Sequence, residues 1–239
     1  RSQINDHIGD SVLDLYTVGK LSGLTEVLFI ERCIRLLKPG GRLGIVLPEG
    51  VLNNTNLQTV RELFEGMAKI ILITSIPQDV FMASGATVKP SLLFFKKFTA
   101  EERAQFDAIK QAATEEVEAK YQSQLDEIDS FLAERGNPAE EKKVKRAERR
   151  ALETKIAAEI WAIVKEKFDY TITIAQVEKA GITTTGAECE NQLIDLLKEF
   201  TPYRKEHHMW TSNELRFRYE IVDNKVVRTD KDGKTKELC

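Results

Sequence analysis

The chain has 239 residues, 42% of them hydrophobic and 31% charged, which is enough for one or two domains and a sizeable core. Its 35 basic and 38 acidic side chains leave a net charge of −3, which excludes a generally basic polyanion binder and confines any nucleic-acid contact to a local patch. The longest apolar stretches, around 70–76 and 92–95, are strand-sized and fall short of the roughly 20 residues of a membrane helix, while Cys33, Cys189 and Cys239 form neither a metal spacing nor a disulfide framework.

Residues 1–98 read as alternating helix and strand. Apolar residues at 24, 27, 28, 30, 34 and 37 predict a helix over Leu24–Leu37, ended by Lys38-Pro39-Gly40-Gly41. Leu43–Leu47 is an apolar run with little alternation, which predicts a strand buried on both faces, as in a parallel sheet. Pro48-Glu49-Gly50 turns the chain, Leu57–Met67 reads as a helix and Lys69–Ser75 as a second buried strand. A loop over 76–87 then leads to a third strand, Val88–Lys97, expected to pair antiparallel with the second. The unit is helix–strand–helix–strand–strand, part of an α/β sheet.

Residues 99–168 are richer in charge. Thr99 and Glu102 make a capping box, and apolar positions from Phe106 to Leu132 recur with a helical period. Arg135-Gly136-Asn137-Pro138 breaks this helix, with Asn137 placed to cap the next and Pro138 to begin it. That second helix, to about Phe168, carries Val144, Ala147, Ala151, Ile156, Ile160 and Ile163 inside, so the pair forms an antiparallel hairpin. The first helix (99–135) holds ten acidic and four basic residues and the second (138–168) six and nine, a complementarity that favours packing. Within the second, Lys142-Lys143-x-Lys145-Arg146-x-x-Arg149-Arg150 has two readings: a grip on phosphates, or a solvated face opposite the acidic helix with pairs such as Glu141–Lys145. Charge complementarity favours the second.

Further on, Tyr170–Ile174 is strand-like, Gly181–Gly186 is Thr-rich, and Asn191–Phe200 is a short amphipathic helix. His207-His208-Met209-Trp210 reads as an exposed aromatic patch. Arg216–Val222 and Lys225–Arg228 suggest a hairpin about Asp223-Asn224, with Asp230–Glu237 a charged loop. No metal-type His or Cys spacing, nucleophile elbow, P-loop or dinucleotide fingerprint occurs. Gly40-Gly41 precedes a strand rather than following one.

One stretch is more specific. A helix, then Leu37-Lys38-Pro39-Gly40-Gly41, then a strand resembles the fifth-strand region of Rossmann-like S-adenosylmethionine methyltransferases. The continuation Leu47-Pro48-Glu49-Gly50-Val51-Leu52-Asn53-Asn54 is similar to the adenine-specific (N-6) DNA methylases that form the modification subunit of type I restriction–modification systems. Ser75-Ile76-Pro77, Val80-Phe81, Ser84-Gly85 and Val88-Lys89 up to Lys97 resemble that family's strand–loop–strand unit, and 175–200 resembles the segment after it. The resemblance covers roughly 5–98 and 169–201; the hairpin between carries no recognised motif and reads as an insertion.

The expected fold is α/β: the resemblance implies the C-terminal half of a Rossmann-like methyltransferase sheet (1–98), to which helical periodicity adds a long antiparallel helical hairpin (99–168), followed by a C-terminal extension (169–239). It implies methyl transfer from S-adenosylmethionine to the amino group of a flipped adenine in DNA. Its implied partners are DNA and the specificity and restriction subunits; a second copy of the chain is expected on a different ground, because half a parallel sheet leaves an exposed edge that tends to find another chain. With no signal peptide and no membrane segment, the expected compartment is a reducing cytoplasm. The family's glycine-bearing cofactor loop and its Asn-Pro-Pro-Phe motif are not in this sequence; the one Asn-Pro, at 137–138, precedes Ala139. With the start at Arg1 rather than Met, the expectation is a piece of a longer enzyme that holds no catalytic residue and is inactive alone. In related amino-methyltransferases an aromatic at the start of the last hairpin loop faces the flipped base, and Phe81 stands at the matching place; otherwise it is a core anchor at a strand end. Lys89 is placed either to reach a DNA phosphate or to snorkel from a strand edge. Pro90 stands where the family pattern has Thr, removing a backbone donor. Two other classes remain: a helical interaction module, whose hairpin docks a specificity subunit or DNA, and a small-molecule methyltransferase.

Overall fold

The computed structural model describes residues 12–209, 217–222, 225–230 and 233–238. Two 3₁₀ turns, Val12–Leu15 and Val18–Lys20, precede α1 (Thr25–Leu36). Glu31 of α1 is fully buried, and its carboxylate accepts the N–H groups of Thr17 (3.0 Å) and Val18 (2.8 Å) while pairing with Arg35. The charge is thereby spent on holding the first segment over the core.

The predicted strands are β1 (Arg42–Pro48), β2 (Ala68–Ser75) and β3 (Pro90–Lys97). Between β1 and β2 lie a single turn, α2 (Gly50–Asn53), and a helix, α3 (Gln58–Glu65). Together with β4 (Thr173–Gln176) the strands form one sheet in the order β1-β3-β2-β4. As expected, β2 and β3 are antiparallel; β3 is also antiparallel to β1, and β4 runs parallel to β2. The fold is therefore a mixed α/β arrangement with a small sheet and long helices.

Burial of β1 on both faces is not observed. Among the described residues β1 pairs only with β3 and stands at the sheet edge. Leu43, Ile45 and Leu47 pack inward, whereas Arg42, Gly44 and Val46 are exposed on the other face. An apolar run reports the side chains' preference; how many faces are covered depends on the neighbours present. The covered face meets α1 and α3 through Val27, Ile30, Ile34, Val60 and Phe64. The opposite face is faced by α7 (Leu193–Glu206), where Thr74, Leu92 and Phe94 line a cavity of about 510 Å³ with Leu196 and Phe200.

The hairpin helices are α5 (Ala100–Ala133) and α6 (Ala139–Lys167); the single turn α4 (Asp79–Met82) precedes β3. The Thr99–Glu102 capping box forms: Glu102 N–H donates to Thr99 Oγ1 (3.1 Å) and Thr99 N–H to the Glu102 carboxylate (2.9 Å). Asn137 does not cap α6; it turns back and donates to Phe131 O (2.7 Å), closing α5 instead. The inner face of α6 also differs from the prediction. Val144, Ala147 and Ala151 are exposed, and Lys142, Lys145, Arg149, Leu152, Ile156, Ile160 and Ile163 are the positions turned toward α5. Near the tip the inner face is built from long basic side chains whose stems cover apolar surface. Lys145 lies over Phe131 (6.0 Å), Arg149 pairs with Asp129 (2.7 Å) and Lys142 donates to Glu134 O. Lys145 pairs with Glu148 (2.6 Å) rather than with Glu141.

At the root of the hairpin Glu102 meets Lys69 (2.9 Å) and Lys96 (3.0 Å). Burial pushes its carboxyl up, but the Thr99 N–H and the two ammonium groups outweigh this and hold it below the ordinary carboxylate value. A carboxyl lowered in the folded state stabilises above its unfolded value, and that contribution is lost as pH falls through the folded one. The stability gap between the chain and Glu102→Gln should therefore be steady near neutrality and narrow below about pH 4 in urea titrations. A gap unchanged on acidification contradicts the triad.

After β4, the Thr-rich stretch is a small antiparallel pair, β5 (Ala180–Ile182) and β6 (Glu188–Asn191), which periodicity did not signal. α7 runs past the expected end at Phe200 and contains Pro202; Thr201 Oγ1 donates to Leu197 O (2.7 Å) in the same turn. β7 (Phe217–Val222) and β8 (Lys225–Asp230) form the expected hairpin, and β9 (Thr235–Leu238) extends it where a charged loop was expected. Of the aromatic patch, His207 and His208 are exposed and His207 stacks on Tyr203 (4.1 Å); Trp210 lies outside the described residues. Among the described residues no helix is long and apolar enough to cross a membrane, and no cluster of His, Cys, Asp or Glu could hold a metal.

Candidate functional site

Because β3 opposes β1 and β2, the C-terminal ends of β1, β2 and β4 and the start of β3 meet at one end of the sheet. Pro48 lies opposite Pro90, Ser75 opposite Ser91, and Ser75 beside Gln176. Three stretches far apart in sequence, 48–54, 76–90 and 177–191, therefore converge there. The ends of strands are where backbone groups and side chains leave the ladder and become available to ligands.

Arg61 of α3 fixes the first stretch, donating to Val51 O (3.2 Å) and Asn54 O (2.7 Å) while Gln58 holds its other nitrogen (2.8 Å). Asn54 accepts the N–H of Asn56 (2.9 Å). The second stretch is tied to the first by Glu49 N–H donating to Lys89 O (3.0 Å) and by the Lys89 ammonium 3.3 Å from the Glu49 carboxylate. Both side chains are partly exposed, so this pair is a weak surface ion pair. Lys89 has a local partner rather than a bare snorkelled end.

Phe81 sits on α4. Its carbonyl accepts Ser84 N–H (3.1 Å), Ser84 Oγ (2.9 Å) and Ala86 N–H (3.0 Å), a tight turn completed by Gly85 at φ 84°. Gln78 closes the loop by donating to Thr87 O. The Phe81 side chain is half-buried and belongs to none of the three apolar clusters. It is therefore not the core anchor that a phenylalanine at a strand end could be. The third stretch packs its β5 against α4.

Sequence reasoning did not single out Glu49, Gln78 or Arg61. Glu49 lies inside the quoted motif and was within reach; Arg61 acts across seven to ten residues of intervening loop and carried no local signal.

The described residues do not build a cradle for S-adenosylmethionine at this end. Of the three positive-φ glycines here, Gly85 and Gly186 spend their N–H groups internally, on Met82 O and Thr183 O, and Gly181 lies within β5 of the β5–β6 pair. The cavity between the sheet and α7 is mostly apolar, with Arg42, Arg204, Thr74 and Thr201 among its Leu and Phe side chains, and neither it nor its neighbour along β4 includes Phe81, Lys89 or Glu49.

The family profile described as N-6 DNA Methylase matches residues 20–149, which is 130 of the 239 residues and runs past β3 into α6. Among solved structures, the chain is similar to a class I S-adenosylmethionine-dependent methyltransferase from Listeria monocytogenes, at 24% identity and a TM-score of 0.33, over 37% of this chain and 27% of that one. It is also similar to a chain from a study of complex assembly and conformational transition of the type I R-M system, at 33% identity and a TM-score of 0.29, over 32% of this chain and 16% of that one. The chain thus spans about a quarter or less of the length of these two. No curated protein matches.

Proposed function

The chain belongs to the N-6 DNA methylase family, and on that premise we propose that it is part of the modification subunit of a type I restriction–modification enzyme. The reaction is transfer of a methyl group from S-adenosylmethionine to the N-6 amino group of an adenine flipped out of the duplex. The observation that carries this reading is the convergence of 48–54, 76–90 and 177–191 at one sheet end, with Phe81 half-buried outside the core.

In this reading the chain supplies one wall of the base pocket. Phe81, its backbone locked by three donors, stacks on the extruded adenine, and Lys89 leaves Glu49 to take a flanking phosphate. The cofactor loop and the Asn-Pro-Pro-Phe motif come from another segment, so these residues transfer no methyl group by themselves. Specificity and restriction subunits complete the assembly, and a second copy is a further partner. The open edge of β1 supports pairing with another chain, since unpaired edges recruit strands. The long hairpin supports a second, compatible reading as an arm that docks a specificity subunit or DNA.

The test is incorporation of a labelled methyl group into duplex DNA. The chain alone should give none. In the assembled parent enzyme Phe81→Ala should cut methylation about 10–100-fold, the worth of one aromatic–base stack, while Phe81→Tyr retains most of it. Clear turnover by the chain alone overturns the missing-wall reading, and full activity of Phe81→Ala overturns the stacking role.

A further inference from the structure

The six cations near the start of α6 divide into two sets. Lys142, Lys145 and Arg149 face α5 and are engaged there or with Glu148 and Glu153. Lys143, Arg146 and Arg150 lie on the adjacent stripe, three and four residues apart, and all three are exposed. None of the three has an ion-pair or hydrogen-bond partner for its cationic group among the described residues.

Arg146 is the centre of this stripe. Its helical neighbours at i−4, i−3, i+3 and i+4 are Lys142, Lys143, Arg149 and Arg150, all cationic. Like charges at this spacing destabilise a helix; Glu140 and Glu153 stand three residues from Lys143 and Arg150, Glu153 is engaged with Arg149, and no acidic residue stands three or four from Arg146. The stripe is a local positive field open to a polyanion. The stripe extends about 10 Å along the helix axis, which matches a run of successive backbone phosphates rather than a single anion. No aromatic residue or methionine occurs between 139 and 155, and protein interfaces usually draw on those.

We propose that Lys143, Arg146 and Arg150 form a sequence-independent contact with the phosphate backbone of duplex DNA. This deepens the docking-arm reading and settles on its DNA form. The hairpin leaves β3 and returns to β4 at the sheet end opposite Phe81 and Lys89, so the contact is to backbone away from the reacting base. It adds affinity and orientation without reading sequence.

Binding of the full chain to a labelled duplex of about 20 base pairs, followed by fluorescence anisotropy between about 50 and 200 mM salt, tests the stripe. Replacing Lys143, Arg146 and Arg150 together by Gln should weaken binding at least tenfold at the low-salt end and flatten the log–log salt slope by about 2.7, for three lost phosphate contacts. The variant should keep its melting temperature, because the change relieves repulsion. A control with the exposed Lys20, Lys38 and Lys167 replaced by Gln carries the same net charge and should bind like the parent. The proposal is overturned if the parent does not bind, if both triple variants lose affinity equally, or if polyglutamate competes through the same stripe as well as DNA does. That last outcome assigns the stripe to an acidic protein. No methyl transfer enters this measurement, so its failure is separable from failure of the methylase reading.

Discussion

Phe106→Ala should cost about 3–5 kcal/mol. Phe106 is 3% exposed and closes a triangle of rings with Phe98 (5.3 Å) and Phe168 (5.4 Å), themselves 5.3 Å apart, with Trp161 at 6.1 Å. Arg103 lies over two of these rings (5.5 and 5.9 Å) and Lys69 over the third (5.0 Å). The triangle joins the end of β3, the first turns of α5 and the end of α6, so it is where the hairpin is rooted in the sheet. Its loss opens a cavity between elements that cannot collapse without tilting α5. For a domain of this size the melting temperature should fall by roughly 6–20 °C. Phe106→Leu, which refills most of the volume, should recover more than half of it. Amide exchange should rise across 100–168 before it rises in β2. An alanine variant that melts with the parent removes the root from this position.

Glu31→Ala should follow at about 2–5 kcal/mol in urea unfolding. The carboxylate is fully buried and serves the backbone N–H groups of Thr17 and Val18, and the buried Val18 amide loses its acceptor once it is gone. Arg35 loses its i−4 partner as well, but that side chain is 47% exposed and can turn to water, so most of the cost lies with the buried amide of Val18. Val18, itself fully buried, would be released from the core with the segment that carries it. Glu31→Gln keeps an acceptor and should lose about half as much. If Glu31→Ala unfolds within about 0.5 kcal/mol of the parent, the first segment is not held in this way.

These two sites show where a sequence is readable and where it is silent. The Thr99–Glu102 box was legible because both halves of the interaction lie within one turn. The strand–loop–strand pairing of β2 with β3 was legible because turn residues and apolar runs sit side by side. Glu31 was not: a glutamate in an amphipathic helix reads as solvent-facing until the amides of Thr17 and Val18, 14 and 13 residues upstream, are brought to it. The pairing of β4 with β2 was equally hidden, because the whole hairpin intervenes. The inner face of α6 was misread for a different reason. Val144, Ala147 and Ala151 have the right polarity, but the stems of Lys145 and Arg149 cover the same surface and their heads find Phe131, Glu148 and Asp129. Of the candidate site, Phe81 and Lys89 were placed by resemblance, whereas the pairing of Lys89 with Glu49 and the grip of Arg61 required the fold.

The hairpin has both of its roots at one end of the sheet, on β3 and β4, which flank β2 and so stand about 10 Å apart. A helical pair rooted in this way is a ruler whose length is independent of the sheet that carries it. With 34 residues in α5 it reaches about 50 Å, and each heptad removed from both helices shortens it by about 10 Å while turning the remaining side chains by only about 20°. The reach of this arm can therefore change in steps of a heptad without retuning the strands beneath it.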